Sequence, residues 1–496
     1  TRVQVENVLR KRVLTPFSRS APTLWLALML AWGTFTSPMF AQPEKEPPAE
    51  VETAVEAPEG EAEPPISIET SRDFFELLDL TDSYLEMLQD DRPLDEQEEE
   101  AILRILNRTK RVPPERISQW LELETPWAEL AQTPGPFRLR YFLLTGHVQS
   151  IEVRDLIPEA AELFEFDHYY ELTLQLDEEE GPTTPVTLVV RELPLRWQKA
   201  RERGLDLSGQ RVSAAALFMK TTHAEEQEPS YAFATARLSW HPETPSEALG
   251  IVADHTLWAE RGMDIAEFDK VRDRVEFSPL EREAFYQLMG AVRQGEVPAD
   301  RPTIRLDVAE LLSNSAHPEG QLLSELELLR GQQMTVEGRV WRVAKILIED
   351  DDIERRLGID HYFEITMFVR LETPIVSQRG DDETTRKQFR DEYPVLACVT
   401  ELPPGVEVGE NLRLQGRITG PFFKLWAYRS GYMSAEDRSR RQISPLLIAH
   451  RLTLTDGPAA PPVDEFAWKL LLMILAIGVV GVAFGVVMAR GAKRRR

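Results

Sequence analysis

The strings FDHYYELTLQL (166–176) and IDHYFEITMFV (359–369) spell Asp-His-Tyr, an aromatic residue and Glu twice, 193 residues apart (167 to 360). Other matches follow in the same order. PLDEQEEEAILRIL from Pro93 answers PLEREAFYQLM from Pro279, with Ile102, Ile105 and Leu106 at the spacing of Phe285, Leu288 and Met289. PVTLVVRELP from Pro185 answers PVLACVTELP from Pro394, and GQRVSAAALFMK from Gly209 answers GENLRLQGRITG from Gly409. ALGIVADHTL from Ala248 answers PLLIAHRLTL from Pro445. One unit of roughly 190 residues therefore occurs twice, and whatever buries its core must work in both settings.

Each unit begins with helix signals. Offsets of three and four put the apolar trio on one helix face, and in SPLE, Ser278 can cap, Pro279 suits the first helical position and Glu281 completes a capping box. The remainder alternates and is rich in β-branched residues, as in MTVEGRVWRVAKILI, HYFEITMFV, YPVLACVTEL, ENLRLQGRI and PLLIAHRLTL. Five strands with Gly338 in the first and Gly416 in the fourth predict a small, tightly coiled barrel. The order V-x-G-x-V early and G-x-x-L-x-L-x-G-x-I late resembles the OB-fold. The expected fold class is thus α+β: two tandem units, each a short helical segment followed by a five-stranded OB-like β-barrel, plus one C-terminal transmembrane helix. The helical segments are expected at 70–136 and 261–330, and the barrels at 137–260 and 331–455.

The ends of the chain indicate an address. Arg10, Lys11, Arg12 and Arg19 precede the apolar LWLALMLAWGTF, and SPMFAQ follows, so 1–41 reads as a signal peptide with Ala41 last to be removed. Residues 42–69 are mostly Pro, Glu and Ala and form an acidic tether that cannot order itself. After a short linker at 456–465, the span 466–489 contains LLLMILAIGVVGVAFGVVMA, long enough to cross a bilayer. Arg490, Lys493, Arg494, Arg495 and Arg496 in the tail (490–496) place that end in the cytoplasm and the bulk outside it. Gly481, Gly485 and Ala489 recur every four residues, a face suited to self-association. With 1–41 and 469–496 set aside, 46 basic residues (57 less 11) face 82 acidic ones (83 less 1), a net charge near −36 that repels phosphate backbones. The single cysteine, Cys398, excludes an internal disulfide, as is ordinary for a bacterial envelope protein, and its setting VLACVT predicts a buried strand.

ELPPG (401–405), GPFFKLWAYRS (420–430) and SPLLIAHRL (444–452) carry a resemblance to membrane-anchored planctomycete-type envelope proteins with tandem OB-fold-like repeats. It covers about residues 280–455 and, more loosely, the first copy. It implies an envelope setting and no particular activity. In the first copy ELPLRW lacks the glycine and LFMKTTHAEEQEPSYAF lacks the aromatic run.

The doubled letters invite a chemical reading. In a strand, His361 shares its face with Phe363 and Ile365, while Asp360 shares the other with Tyr362 and Glu364; Asp167, His168, Tyr169 and Glu171 divide likewise. Asp360 and Glu364 stand roughly 13 Å apart at about 3.3 Å per residue, too far to share a metal. All eight therefore read as a structural signature. Asp350, Asp351 and Asp352 in EDDDIE, read as a loop, are the candidates for a cation, without the alternating acids and central glycine of an EF-hand loop, and no metal or cofactor is expected. Arg379–Asp381 and the sequon at Asn107 are short matches of little weight. Phe423, Lys424, Trp426 and Tyr428 are the candidate binding residues, for peptide or glycan, or for stacked bases. No hydrolase, zinc or phosphate-binding motif is present, so no catalytic residue is assigned. The expected function is a non-enzymatic, membrane-anchored extracytoplasmic binding or structural protein whose partner is an envelope protein, peptide or glycan; nucleic acid is not an expected partner. The alternatives are an enzyme acting on an envelope polymer such as wall glycan, and a single-strand nucleic-acid-binding OB-fold protein.

Overall fold

The computed structural model describes residues 68–177, 185–222, 229–298, 301–313, 322–377, 387–430, 433 and 439–455. The signal segment, nearly all of the tether, Arg379–Asp381, the linker, the 466–489 span with Gly481, Gly485 and Ala489, and the basic tail lie outside the described residues. Among the described residues no helix is long and apolar enough to cross a membrane.

The first unit runs α1 (Ser71–Leu77), α2 (Asp82–Leu85), α3 (Glu99–Thr109), α4 (Pro114–Trp120), β1 (Leu121–Glu122) and α5 (Trp127–Gln132). It continues through β2 (Tyr141–Asp155), α6 (Pro158–Phe164), β3 (His168–Leu176), β4 (Val186–Glu192), α7 (Leu195–Glu202), β5 (Arg211–Thr222), β6 (Ser230–Arg237) and β7 (Ser239–Trp240). The sheet order is β1-β2-β3-β4-β6-β5-β7, and pairing of β2 with β5 closes β2-β3-β4-β6-β5 into a five-stranded barrel. Only the β4–β6 pair of the ring is parallel. Gly146 permits the coiling, because a Cβ there would sit 2.2 Å from the Gln175 carbonyl oxygen. Inward residues such as Phe142, Leu144, Leu172, Leu188 and Phe233 fill the interior.

The second unit runs α8 (Ala253–Glu260), two 3₁₀ turns (Ile265–Lys270 and Pro279–Glu281), α9 (Arg282–Arg293), β8 (Ile304–Arg305), α10 (Val308–Ser313), α11 (Glu325–Leu329), β9 (Gln333–Leu347) and α12 (Asp351–Leu357). It ends with β10 (His361–Arg370), the β11–β12 pair (Ile375–Ser377, Lys387–Phe389), β13 (Glu392–Glu401), β14 (Gly409–Tyr428) and β15 (Gln442–Leu454). The six-stranded sheet has the order β10-β13-β15-β14-β9-β8, with a further β10–β9 pairing and a parallel β13–β15 pair. Pairing among β9, β10, β13, β15 and β14 follows that among β2, β3, β4, β6 and β5 of the first unit. Gly338 and Gly416 lie directly opposite each other in β9 and β14.

Two sequence readings are corrected. ALGIVADHTL is not the partner of PLLIAHRLTL: Val190 pairs with Thr235 where Val399 pairs with Ala449, so the counterpart of β15 is β6, SYAFATAR. The chain from Ala253 to Glu260 is helix α8, because the Val252 N–H donates to His255 Nδ1 (3.3 Å) and caps it. Helical structure of the second unit thus begins inside the stretch expected to be strand. EDDDIE, expected to be a loop, opens α12: the Asp350 carboxylate accepts from the Asp352 N–H (3.1 Å) and nucleates the first turn.

The two units repeat one ionic arrangement. Lys220 in β5 donates to Glu98, just before α3, at 2.6 Å, and Lys424 in β14 donates to Glu281, just before α9, at 2.7 and 2.9 Å. All four side chains are buried. Glu98 also accepts from the Gln89 and Asp95 N–H groups (2.7 and 3.4 Å), and Glu281 from those of Arg272 and Ser278 (2.7 and 2.9 Å). The same interval, 183 residues, separates Gln89, Asp95 and Glu98 from Arg272, Ser278 and Glu281, while the lysines are 204 apart. Beside each pair, Asp90 accepts from the Thr221 N–H (3.1 Å) and Arg138 (2.7 Å), while Asp273 accepts from the Leu425 N–H (2.8 Å) and Arg330 (2.6 Å). The next residues, Asp91 and Arg274, both have φ of 61°. The bend before the helix is thereby fixed to the fourth barrel strand, and α3 lies on the outer face formed by Tyr169, Val189 and Met219. Likewise Phe285 of α9 meets Tyr362 and Phe423 at ring separations of 5.5 and 5.6 Å.

The units are also packed together. Arg196 of α7 reaches Asp269 at 3.1 Å, the Trp240 N–H donates to Asp264 (2.9 Å), and Trp258, Ile265 and Phe268 join Leu193 and Trp197 in one core. His255 is enclosed at this junction, with its Nε2 donating to the Arg330 carbonyl (2.7 Å).

Losing one partner of a buried pair costs about 3–5 kcal/mol, so Lys424→Met lowers the stability read from urea unfolding by that order, and Lys220→Met acts alike. Lys424→Met/Glu281→Gln recovers part of the loss, since the amide oxygen still accepts a backbone N–H. Burial, helped by the Arg196 guanidinium, pushes His255 from 6.5 down to about 4. A depressed histidine contributes stability above its ordinary pKa that is lost as pH falls from 6.5 towards 4. Asp264, raised by burial and Glu267 to about 7, works oppositely, its contribution being lost as pH rises from 3.8 through 7. The His255 Cε1 proton resonance, followed by NMR, is therefore expected to titrate near pH 4.

Candidate functional site

The aromatic-basic run does not form an open face. Phe423 and Lys424 are fully buried, Trp426 and Tyr428 are half-buried, and Lys424 is engaged by Glu281. Burial pulls the Lys424 ammonium below its ordinary value, with Glu281 acting against that shift. Phe423 stacks on Phe277 at 6.1 Å and Trp426 lies 5.3 Å from Tyr428. The first copy lacks the aromatic run but keeps the buried lysine: in LFMK, Lys220 stands where Lys424 stands, and Met219 takes the place of Phe423 beneath the helix.

The acidic candidates are answered by arginines. Asp350 pairs with Arg282, and buried Asp352 pairs with Arg356 (2.8 Å) and accepts the Ser118 hydroxyl (3.2 Å). Asp351 stays exposed in the first turn of α12. Among the described residues no three His, Cys, Asp or Glu side chains come together in a way that could hold a metal. Asn107 is buried and donates to the Phe164 carbonyl (2.6 Å), which leaves no room for a glycan. Cys398 is buried in β13, and burial pushes its thiol up.

The doubled motif has a divided role. Tyr169 and Tyr362 support the helices, while Glu171 pairs with Arg154 (3.0 Å) and Glu364 with Arg342 (2.9 Å). His168 Nδ1 lies 2.6 Å from Asp167, and its Nε2 lies 2.8 Å from the Tyr170 hydroxyl. His361 Nδ1 lies 2.8 Å from Asp360, but Phe363 replaces the tyrosine, with the two rings edge to face at 5.3 Å. The hydroxyl that completes the first imidazole has no counterpart in the second.

That difference borders a cavity of about 620 Å³ at the end of the second sheet. Its wall combines His361 and Phe363 from the start of β10, Glu401 from the end of β13, Leu402 and Val406 from the loop that follows, and Arg293 from the last turn of α9. At the same place in the first unit, Glu192-Leu193-Pro194 leads straight into α7. Trp197 of that helix is fully buried, and the Arg201 guanidinium lies 5.5 Å from the centre of the Tyr170 ring. In the second unit Pro403, Pro404 and Gly405 make a tight turn instead, with Gly405 at φ 85° and the Val406 N–H bonded to Pro403 (3.2 Å). The first unit fills this space with its own helix; the second leaves it open. The signal was in the sequence, as ELPLRW against ELPPG and Tyr170 against Phe363, but nothing in the letters showed that the two differences meet.

No protein-family model matches the chain, and no curated protein matches it. Among solved structures it is similar to the single-stranded DNA binding protein from Thermus aquaticus, at 9% identity over 64% of this chain and 93% of that one, with a TM-score of 0.13. It is also similar to fission yeast Pot1 with single-stranded DNA, at 7% identity over 65% and 81%, with a TM-score of 0.15. Scores this low carry no argument about fold or ligand.

A buried, protonated thiol is inert. Cys398 is therefore expected to remain unmodified by a colorimetric disulfide reagent in the native protein and to react fully once urea unfolds it.

Proposed function

We propose that this chain is a non-enzymatic binding protein of the cell envelope, anchored by residues 466–489, with its folded bulk outside the cytoplasm and its second barrel offering the binding site. The ring of pairings around β9, β10, β13, β15 and β14 supports reading the second sheet as an OB-like barrel matching the first. One observation carries the proposal: two copies of one module differ where a barrel end is sealed by α7 in the first and lies open beside His361 and Glu401 in the second. The doubled ion pairs, by contrast, are enclosed and hold helix to strand, which suits a scaffold. The resemblance to planctomycete-type envelope proteins supports the setting, and the strongly negative field supports a cationic or neutral partner.

The closed five-stranded barrel favours a second reading, single-strand nucleic-acid binding, because such barrels serve that role elsewhere. Against it stand the buried state of Lys424 and Phe423 and the acidic surface. Chromatography of the full-length chain, in detergent, over an immobilised single-stranded oligonucleotide separates the two. Passage without retention at low salt is expected; salt-sensitive retention overturns the proposal in favour of the second reading. Release of reducing ends from wall glycan by the same preparation would overturn it in favour of an enzyme.

A further inference from the structure

Resting on the binding reading above, we propose that the open end of the second barrel receives a short basic helix from a partner protein, in the place that α7 occupies in the first unit. The chain itself supplies the precedent. The first barrel's corresponding site takes LRWQKARE, in which Trp197 enters the apolar end and Arg201, one helical turn later, covers the ring of Tyr170 beside His168 and Asp167. Residues four apart lie on one helix face, so an aromatic residue and an arginine at that spacing make a single docking edge.

The second unit keeps the receiving half of this contact. Phe363 stands where Tyr170 stands, and Asp360 and His361 stand where Asp167 and His168 stand. An arginine arriving from outside finds an aromatic face for cation–π contact. Asp360 and Glu401 on the wall outnumber Arg293, so the charge of the site complements a basic helix. Leu402 and Val406 form the apolar floor, and Val408 at the rim is 55% exposed. Between the strands the Pro403-Pro404-Gly405 turn is too short to supply a helix of its own. The acidic protein as a whole draws such a segment in, an effect that weakens with salt.

The test uses a fluorescein-labelled peptide of the α7 sequence, PLRWQKARERG, titrated with the full-length chain in detergent micelles and followed by anisotropy. Saturable binding is expected. Glu401→Lys and Val408→Asp, both at exposed positions, are each expected to weaken it by about tenfold or more, as is a peptide with alanine for its tryptophan. Absence of saturable binding overturns the proposal, and so does binding that neither substitution alters. Sedimentation velocity adds a third arm: dissociation of a self-associated chain by Val408→Asp would show that a second copy occupies the site and overturn a foreign helix. A null titration with no oligonucleotide retention and no glycan release rejects this assignment alone, whereas either of those activities rejects the broader binding reading.

Discussion

The buried lysine–glutamate pair is the constraint on which each unit depends. A lysine enclosed in a barrel strand is tolerable only when a carboxylate meets it, and Glu98 and Glu281 do so while also accepting backbone N–H groups that would otherwise be orphaned in a tight bend. One side chain therefore fixes three things at once: the path of the chain before the helix, the start of the helix and its seat on the barrel. Asp90 with Arg138, and Asp273 with Arg330, hold the same bend from its other side. Because the arrangement joins distant stretches, it sets how each helical segment meets its barrel.

The second helical segment has two duties. Its helix α9 lies on its own sheet through Phe285, while Asp264, Asp269 and Trp258 close the end of the first barrel around Arg196 and Trp240. That explains the shared core of the two units and the enclosed, neutral His255 at their junction. It also gives the tandem a direction. The end of the first barrel is sealed by its own helix and by the following unit; the second sheet ends in a short turn and a cavity.

Much of the architecture was legible. Alternation and helical spacing marked the strands and helices, and Gly338 and Gly416 marked where strands approach closely. The doubled Asp-His-Tyr motif was correctly placed on a strand start, since period-two burial is local. Errors arose where letters matched without a shared environment. ALGIVADHTL has the composition of PLLIAHRLTL, yet a histidine cap turned it into helix. EDDDIE was read as a loop, but arginines from α9 and α12 pair with its acids and it opens a helix. Lys424 looked like a surface cation because the sequence does not show its partner, and Lys220 was overlooked because methionine replaced the aromatic residue beside it.

From the letters alone follow the duplication, the acidic charge, the strand and helix periods, and an apolar span near the C-terminus, because each depends on neighbours in sequence. The fold alone decided that Glu98 meets Lys220 across 122 positions and Glu281 meets Lys424 across 143. It alone decided that ELPPG and Phe363 border one cavity. Such meetings depend on the route the backbone takes, and that route is set by the summed packing of the whole chain rather than by any segment of it.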